Sequence, residues 1–128
     1  MDFSSIVRNH SRLEMNRVVV ISSEAELKIH ELECSILLVL AVWSAPSRKS
    51  LACLTETLAG CTLPDKLKLL VVNHDILTEE TRLGFFANSL HGWGETFWIQ
   101  RGEVVQPLRH CQPDNQPDIL RLTALLQI

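Results

Sequence analysis

Two serine hydroxyls flank an alanine and a proline in the segment 43–47, which reads Trp-Ser-Ala-Pro-Ser. A serine hydroxyl becomes a nucleophile when a base, usually histidine, takes its proton and a third group orients that base. His91 is the candidate base, because its predicted loop can approach this segment. The alternative is that Ser44 or Ser47 caps a helix beginning at Pro46, and we favour this capping role.

Thiols are the second candidate chemistry. The chain has four cysteines, and none belongs to a Cys-x-x-Cys pair: Cys34, Cys53, Cys61 and Cys111. Scattered cysteines of this kind are usually buried and unreactive in a cytoplasmic protein. Cys53 and Cys61 fall on one predicted helix about 12 Å apart along its axis. A disulfide requires Cα atoms within about 7 Å, so we expect none between these two residues.

Histidine stands beside a second potential metal ligand in His74-Asp75 and in His110-Cys111. Adjacent residues on a strand point to opposite faces, so neither pair presents two ligands to one ion. The sequence also lacks the clustered spacing of a zinc site. We therefore expect no metal and no other cofactor.

Length and composition indicate one globular domain. They give no indication of a nucleic-acid partner. The chain has 128 residues, of which 46% are hydrophobic and 21% charged, and its net charge is -3. Its longest basic run is Arg48-Lys49, which argues against a nucleic-acid partner. The apolar run 36–43 is far shorter than the roughly 20 residues of a membrane-spanning helix. The N-terminus lacks the apolar stretch of a secretory signal, so we expect a cytoplasmic protein.

The first half of the chain predicts alternating strands and helices after an arm or short helix at 1–17. The β-branched run 18–21 predicts a strand, and Ser23 with Glu26 has the spacing of a capping box before a helix at 24–33. The apolar run 36–43 predicts a strand buried on both faces. A helix then begins at Pro46 and ends near Gly60.

The second half predicts one further strand and helix, then a hairpin and a final helix. The strand covers 67–72, and the helix is capped by Thr78 and extends to about Leu90. The hairpin joins 96–100 to 104–106, where Pro107 ends the partner or confines it to an edge. The last helix begins at Pro117. This order predicts an α/β fold, with a mixed central β-sheet flanked by helices on both faces, in one domain at 18–128.

Three segments carry a resemblance to the thioredoxin family. Residues 36–49 resemble its strand, Trp-Cys-Gly-Pro-Cys-Lys turn and following helix. Residues 67–75 resemble its third strand with the Asn-x-Asp ending, and residues 96–104 resemble its closing hairpin. The resemblance covers residues 18–128 and implies a thioredoxin-like fold.

The departures from that family concern its chemistry. Both redox cysteines are replaced by Ser44 and Ser47, and serine forms no disulfide. The resemblance places Leu38 where the family keeps a buried carboxylate and Val71 where a lysine pairs with it. It places Glu95 or Gly94 where the family has a cis-proline. We favour Glu95, with a trans peptide bond and a carboxylate that faces the Ser44–Ser47 turn.

These substitutions predict a non-redox protein rather than an enzyme. The family's redox members hold extended peptides across the turn, so the same surface is the candidate binding site for another protein or peptide. It comprises Trp43, Ser44, Ala45, Pro46, Ser47, Trp93, Gly94 and Glu95. The role would be that of a co-chaperone, an assembly factor or an immunity-type partner. The alternatives are a residual thiol-dependent enzyme using a cysteine such as Cys53, and a subunit of a larger assembly or homo-oligomer.

Overall fold

The computed structural model describes residues 2–126 and shows a five-stranded mixed sheet. The strands are β1 (Val18–Ile21), β2 (Cys34–Leu40), β3 (Lys68–Asn73), β4 (Thr96–Gln100) and β5 (Glu103–Leu108). Their order across the sheet is β1-β3-β2-β4-β5. The pairs β1–β3 and β2–β3 are parallel, whereas β2–β4 and β4–β5 are antiparallel. The prediction of a mixed sheet within an α/β fold is confirmed.

The two faces of the sheet carry different coverings. The helices are α1 (Phe3–His10), α2 (Ala45–Ala59), α3 (Glu79–Leu83) and α4 (Gln116–Leu125). Residues of α1, α2 and α4 share one buried cluster, and we call this side the three-helix face. The opposite side, which we call the loop face, is covered by 3₁₀ turns and by the segment 84–90 that follows α3. No helix within residues 2–126 is long and apolar enough to cross a membrane.

Strand β2 supplies both faces because its side chains alternate between them. Leu38 lies in the cluster of the three-helix face, and Leu37 and Val39 lie in that of the loop face. All three are fully buried, as the unbroken apolar run of a central strand predicts. Leu38 pairs in register with Val71, so the two positions where the family keeps charged groups meet inside an apolar core.

The prediction of a helix at 24–33 is wrong. The structure has two short 3₁₀ turns there, Glu24–Glu26 and Ile29–Glu31. The Ser23 hydroxyl accepts from the backbone N–H of Ala25, so the capping box expected with Glu26 does not form. The physical reason lies in the spacing of Leu27 and Ile29, which are two positions apart and cannot share one face of an α-helix.

Two other elements are shorter than predicted, and one is longer. Helix α3 ends at Leu83 rather than near Leu90, because the backbone leaves the helical conformation at Gly84. Further on, Ala87 and Asn88 take left-handed φ angles of 50° and 58°, so the helix does not resume there. Strand β2 ends at Leu40, and the chain then turns towards α2. Strand β5 continues through Pro107, which its position at the edge of the sheet permits.

Candidate functional site

The two serines of the 43–47 segment have structural roles at the start of α2. The Ser44 hydroxyl caps the helix by accepting from the backbone N–H of Ser47 at 3.3 Å. The Ser47 hydroxyl is fully buried and accepts from the backbone N–H of Ala41 at 2.9 Å. Within residues 2–126 neither hydroxyl contacts a histidine that would act as a base. The favoured capping role of Ser44 is confirmed.

Trp43 is exposed and yet held on three sides. Its side chain is 61% exposed, which is unusual for an indole. Its Nε1 donates to Oδ1 of Asp75 at 3.0 Å, and its ring meets the edge of His74 at 5.9 Å between centroids. The indole also lies against Gly92, where an added Cβ would come within 2.6 Å of the ring. The indole is therefore fixed in position while much of it stays in contact with water.

Trp93 presents a second exposed indole on the loop before β4. It is 42% exposed, and the Arg109 guanidinium lies over its ring at 5.4 Å from the centroid. The two residues, together with three others, line a shallow cavity of about 400 Å³. The full lining is Pro46, Trp93, Arg109, His110 and Gln112. The start of α2 and the segment after β5 therefore meet beside Trp93.

His110 joins these two segments. Its Nε2 lies 2.9 Å from the carbonyl oxygen of Pro46, and its Nδ1 lies 2.8 Å from Nε2 of Gln112. A carbonyl oxygen only accepts, so Nε2 of His110 donates, and Nδ1 accepts from the Gln112 amide. The pair of bonds fixes the tautomer of the ring and holds the segment after β5 against the turn.

Glu95 does not face the Ser44–Ser47 turn, so that expectation is wrong. Its side chain is buried, and its carboxylate accepts from the backbone N–H groups of His91 and Trp93. Gly92 lies between those two residues with a left-handed φ of 77°, and the bend there aims both N–H groups at the carboxylate. Glu95 thus holds the Trp93 loop from beneath and does not present its own carboxylate on the surface of the turn.

Gly94, rather than Glu95, packs against α2. A Cβ at this position would lie 2.5 Å from Cβ of Ser50 and 2.9 Å from the carbonyl oxygen of Ser47. The Ser50 hydroxyl donates to the Gly94 carbonyl at 2.8 Å and accepts from the backbone N–H of Cys111 at 3.0 Å. One buried serine therefore ties together α2, the loop before β4 and the segment after β5. The peptide bonds of residues 2–126 are all trans, as expected.

The structure divides the eight residues of the candidate surface into two groups. Trp43, Ala45, Pro46 and Trp93 are exposed. Ser44, Ser47, Gly94 and Glu95 are buried and support the others.

The sequence analysis missed Arg109, His110 and Gln112, because the contact of His110 with Pro46 spans 64 positions. The strand topology could have indicated this contact. Because β5 is parallel to β2, the segments that follow the two strands emerge at the same end of the sheet.

Three of the thiols have a raised pKa, which lowers their reactivity. Burial raises the pKa of the Cys111 thiol to about 11. Burial and the nearby charge of Glu56 raise the pKa of Cys53, and burial raises that of Cys34. Each of these thiols therefore holds less of the nucleophilic thiolate at neutral pH than a free cysteine does. Within residues 2–126, no group of three or more histidine, cysteine or acidic side chains is placed to hold a metal ion.

Comparison with known proteins identifies the fold. No protein-family model matches the chain, and no curated protein matches it. Among solved structures, it is similar to a mutant of poplar thioredoxin h, with a TM-score of 0.64 and 18% identity over 92% of this chain and 89% of that one. It is similar to Malassezia sympodialis thioredoxin at 0.62 and 15% identity, over 81% and 89% of the two chains. Schistosoma mansoni thioredoxin gives 0.57 and 17%, over 84% and 95%. These likenesses show a thioredoxin fold, here in a chain without a Cys-x-x-Cys pair.

Proposed function

We propose that this chain is a non-redox thioredoxin-like protein that binds another protein through the exposed residues around its two surface indoles. We call Trp43, Ala45, Pro46, Trp93 and Arg109 the two-tryptophan surface. The role is that of a co-chaperone, an assembly factor or an immunity-type partner in the cytoplasm. The observation that carries the proposal is the fixed and exposed indole of Trp43.

A fixed indole at a surface is suited to binding. An exposed tryptophan contributes little to the core, since most of its apolar area stays in water. Because Asp75, His74 and Gly92 already hold Trp43, a partner that covers it loses little side-chain entropy. Tryptophan is also among the residues that most often dominate binding energy at interfaces.

The chemistry around the turn supports binding over catalysis. The serines at the redox positions are engaged as a helix cap and a buried acceptor. Leu38 and Val71 leave no charged pair beneath them that would move a proton. The raised pKa of Cys53 also weighs against the alternative of a residual thiol enzyme.

The binding proposal is tested with the intact chain and a displayed library of random dodecapeptides. Enriched peptides are synthesised, and their affinities are measured by calorimetry for the wild type, Trp43→Ala and Trp93→Ala. Leu125→Ala is the matched control, because Leu125 is a comparably exposed apolar residue on α4. We expect each tryptophan variant to weaken binding about 30-fold and the control to leave it unchanged. Affinities that do not depend on either tryptophan would overturn the proposal.

The absence of redox turnover is tested by the reduction of insulin disulfides with a dithiol reductant. We expect the wild type to give the uncatalysed rate, because it has neither a low-pKa thiol at a helix start nor a resolving partner. Turnover that disappears in Cys53→Ser would establish the thiol enzyme instead.

A further inference from the structure

Basic side chains border the cavity beside Trp93, although the net charge of the chain is -3. Arg109 lines it directly, and Lys49 lines an adjoining cavity that shares Pro46, His110 and Gln112 with the first. Asp114 is the one acidic residue that lines either cavity. Helix α2 begins here with no acidic residue in its first turn, so its positive end adds to the same potential.

Arg109 has unused binding capacity. Within residues 2–126 it forms no ion pair, and its guanidinium stacks over the ring of Trp93. A guanidinium carries five N–H donors in a planar fork that matches a carboxylate. Stacking on an aromatic ring orients that fork without occupying its donors. Arg109 is thus a cation that Trp93 orients at the cavity, with its N–H donors free to bind a ligand.

We propose that the partner presents an extended acidic peptide segment to this cavity. A carboxylate of the segment pairs with Arg109, a second acid lies near Lys49, and an apolar side chain enters the space between Pro46 and Trp93. The inference rests on the proposed function, since it names the chemistry of the partner for the same surface.

A peptide suits this site better than a nucleic acid does. The basic groups are few and border a small apolar cavity, whereas a polynucleotide needs a longer track of phosphate contacts. The net negative charge of the chain also repels a long polyanion. A short segment with two acidic residues is attracted by Arg109 and Lys49, and the net negative charge of the chain repels it less than it repels a long polyanion.

The experiment analyses the charge of the peptides that the intact chain enriches from the random dodecapeptide library. We expect an excess of aspartate and glutamate over the unselected library. The affinity of enriched peptides is then measured for Arg109→Glu and for Lys66→Glu, at low and at high salt. Lys66 is the matched control, because it is exposed and its substitution changes the net charge equally. It lies just before β3, at the end of the sheet opposite to the end where β2 leads into the candidate surface. We expect Arg109→Glu to weaken binding about tenfold, with a reduced salt dependence, and Lys66→Glu to weaken it less than about twofold.

The remaining outcomes distinguish a failure of the acidic-segment proposal from a failure of the proposed binding function. Enriched peptides that are neutral or basic but still require Trp43 and Trp93 would overturn the acidic segment and leave the binding surface intact. Equal losses in Arg109→Glu and Lys66→Glu would show a general charge effect and overturn the role of Arg109. Peptides that require neither tryptophan would overturn the proposed function itself. A twelve-nucleotide thymidine strand is titrated in parallel, and tighter binding of that strand through Arg109 would replace the peptide with a nucleic acid.

Discussion

The two faces of the sheet are both buried, but different kinds of structure cover them. The three-helix face buries its strands under α1, α2 and α4, and its cluster includes Leu38, Val71 and Trp98. The loop face buries Leu37 and Val39 under 3₁₀ turns and the Phe86 segment that follows α3. The candidate site lies at the start of α2, which is one of the helices that cover the three-helix face. The contrast teaches that the fold packs helices on the side where the 43–47 turn lies and uses turns and loops on the other side.

The largest expected effect compares neighbouring leucines of β2. Leu38 and Leu37 are both fully buried but point to opposite faces. We expect Leu38→Ala to lower the free energy of unfolding by about 4 kcal/mol and Leu37→Ala by about 2.5 kcal/mol, because turns and loops collapse more easily around a cavity than packed helices do. Urea unfolding measures both values. Equal losses would contradict the difference between the faces.

A second comparison uses two glycines. Gly94 has a φ of +78° and no space for a Cβ against Ser50, whereas Gly84 on the loop face has a negative φ and a nearest contact at 3.0 Å. We expect Gly94→Ala to cost about 3 kcal/mol and Gly84→Ala about 1 kcal/mol or less. Thermal and urea unfolding are the measurements. A larger loss in Gly84→Ala would show that the loop face is the more tightly fitted one.

A third comparison removes one hydroxyl from each face. In Ser50→Ala the buried N–H of Cys111 loses its acceptor, and we expect a loss of about 2 kcal/mol. In Ser23→Ala an exposed 3₁₀ turn loses its cap, with an expected loss of about 0.5 kcal/mol. The rate at which a thiol reagent modifies Cys111 gives a second measurement, and it should rise in Ser50→Ala alone. An unchanged rate would show that Ser50 does not hold the segment after β5.

The smallest expected effect concerns a link within the loop face. Glu24 accepts from the backbone N–H of Thr78 at 2.9 Å, and this bond, with the Thr81 hydroxyl, lowers the pKa of the Glu24 carboxyl. A lowered pKa in the folded state stabilises the fold above the unfolded pKa, and this stability is lost as the pH falls through the folded pKa. Because Glu24 is only partly buried, we expect this loss to be a few tenths of a kcal/mol between about pH 6 and about pH 3.

Urea unfolding at the two pH values tests this link in Glu24→Gln, with Glu26→Gln of the same 3₁₀ turn as the control. The extra loss of stability at low pH should disappear in Glu24→Gln and persist in Glu26→Gln. The opposite result would remove Glu24 as the link between this turn and α3.

The sequence predicted the regular part of the molecule better than the irregular part. The apolar run of β2 and the spacing of Leu51, Leu54 and Leu58 in α2 reflect burial, which acts through residue type and periodicity. The covering of the loop face follows from local angles at Ala87 and Asn88, which no periodicity encodes.

The candidate site divides in the same way. Trp43, Pro46 and Trp93 were predicted because the resemblance to thioredoxin places Trp43 and Pro46 at the turn before α2 and Trp93 on the opposing loop. Arg109 was missed because it depends on a contact between distant segments. The orientation of the Glu95 carboxylate depended on where two backbone N–H groups point, which residue types alone do not specify.

The arrangement of the three tryptophans has an optical consequence. Trp98 is fully buried, with its Nε1 bonded to the Thr123 hydroxyl at 3.2 Å, so its emission should be shifted to the blue and shielded from dissolved quenchers. Trp43 and Trp93 meet water, and the cation over Trp93 draws iodide towards it. The quenchable part of the intrinsic fluorescence therefore comes from the two indoles of the candidate surface. The chain carries its own label for whatever covers that surface.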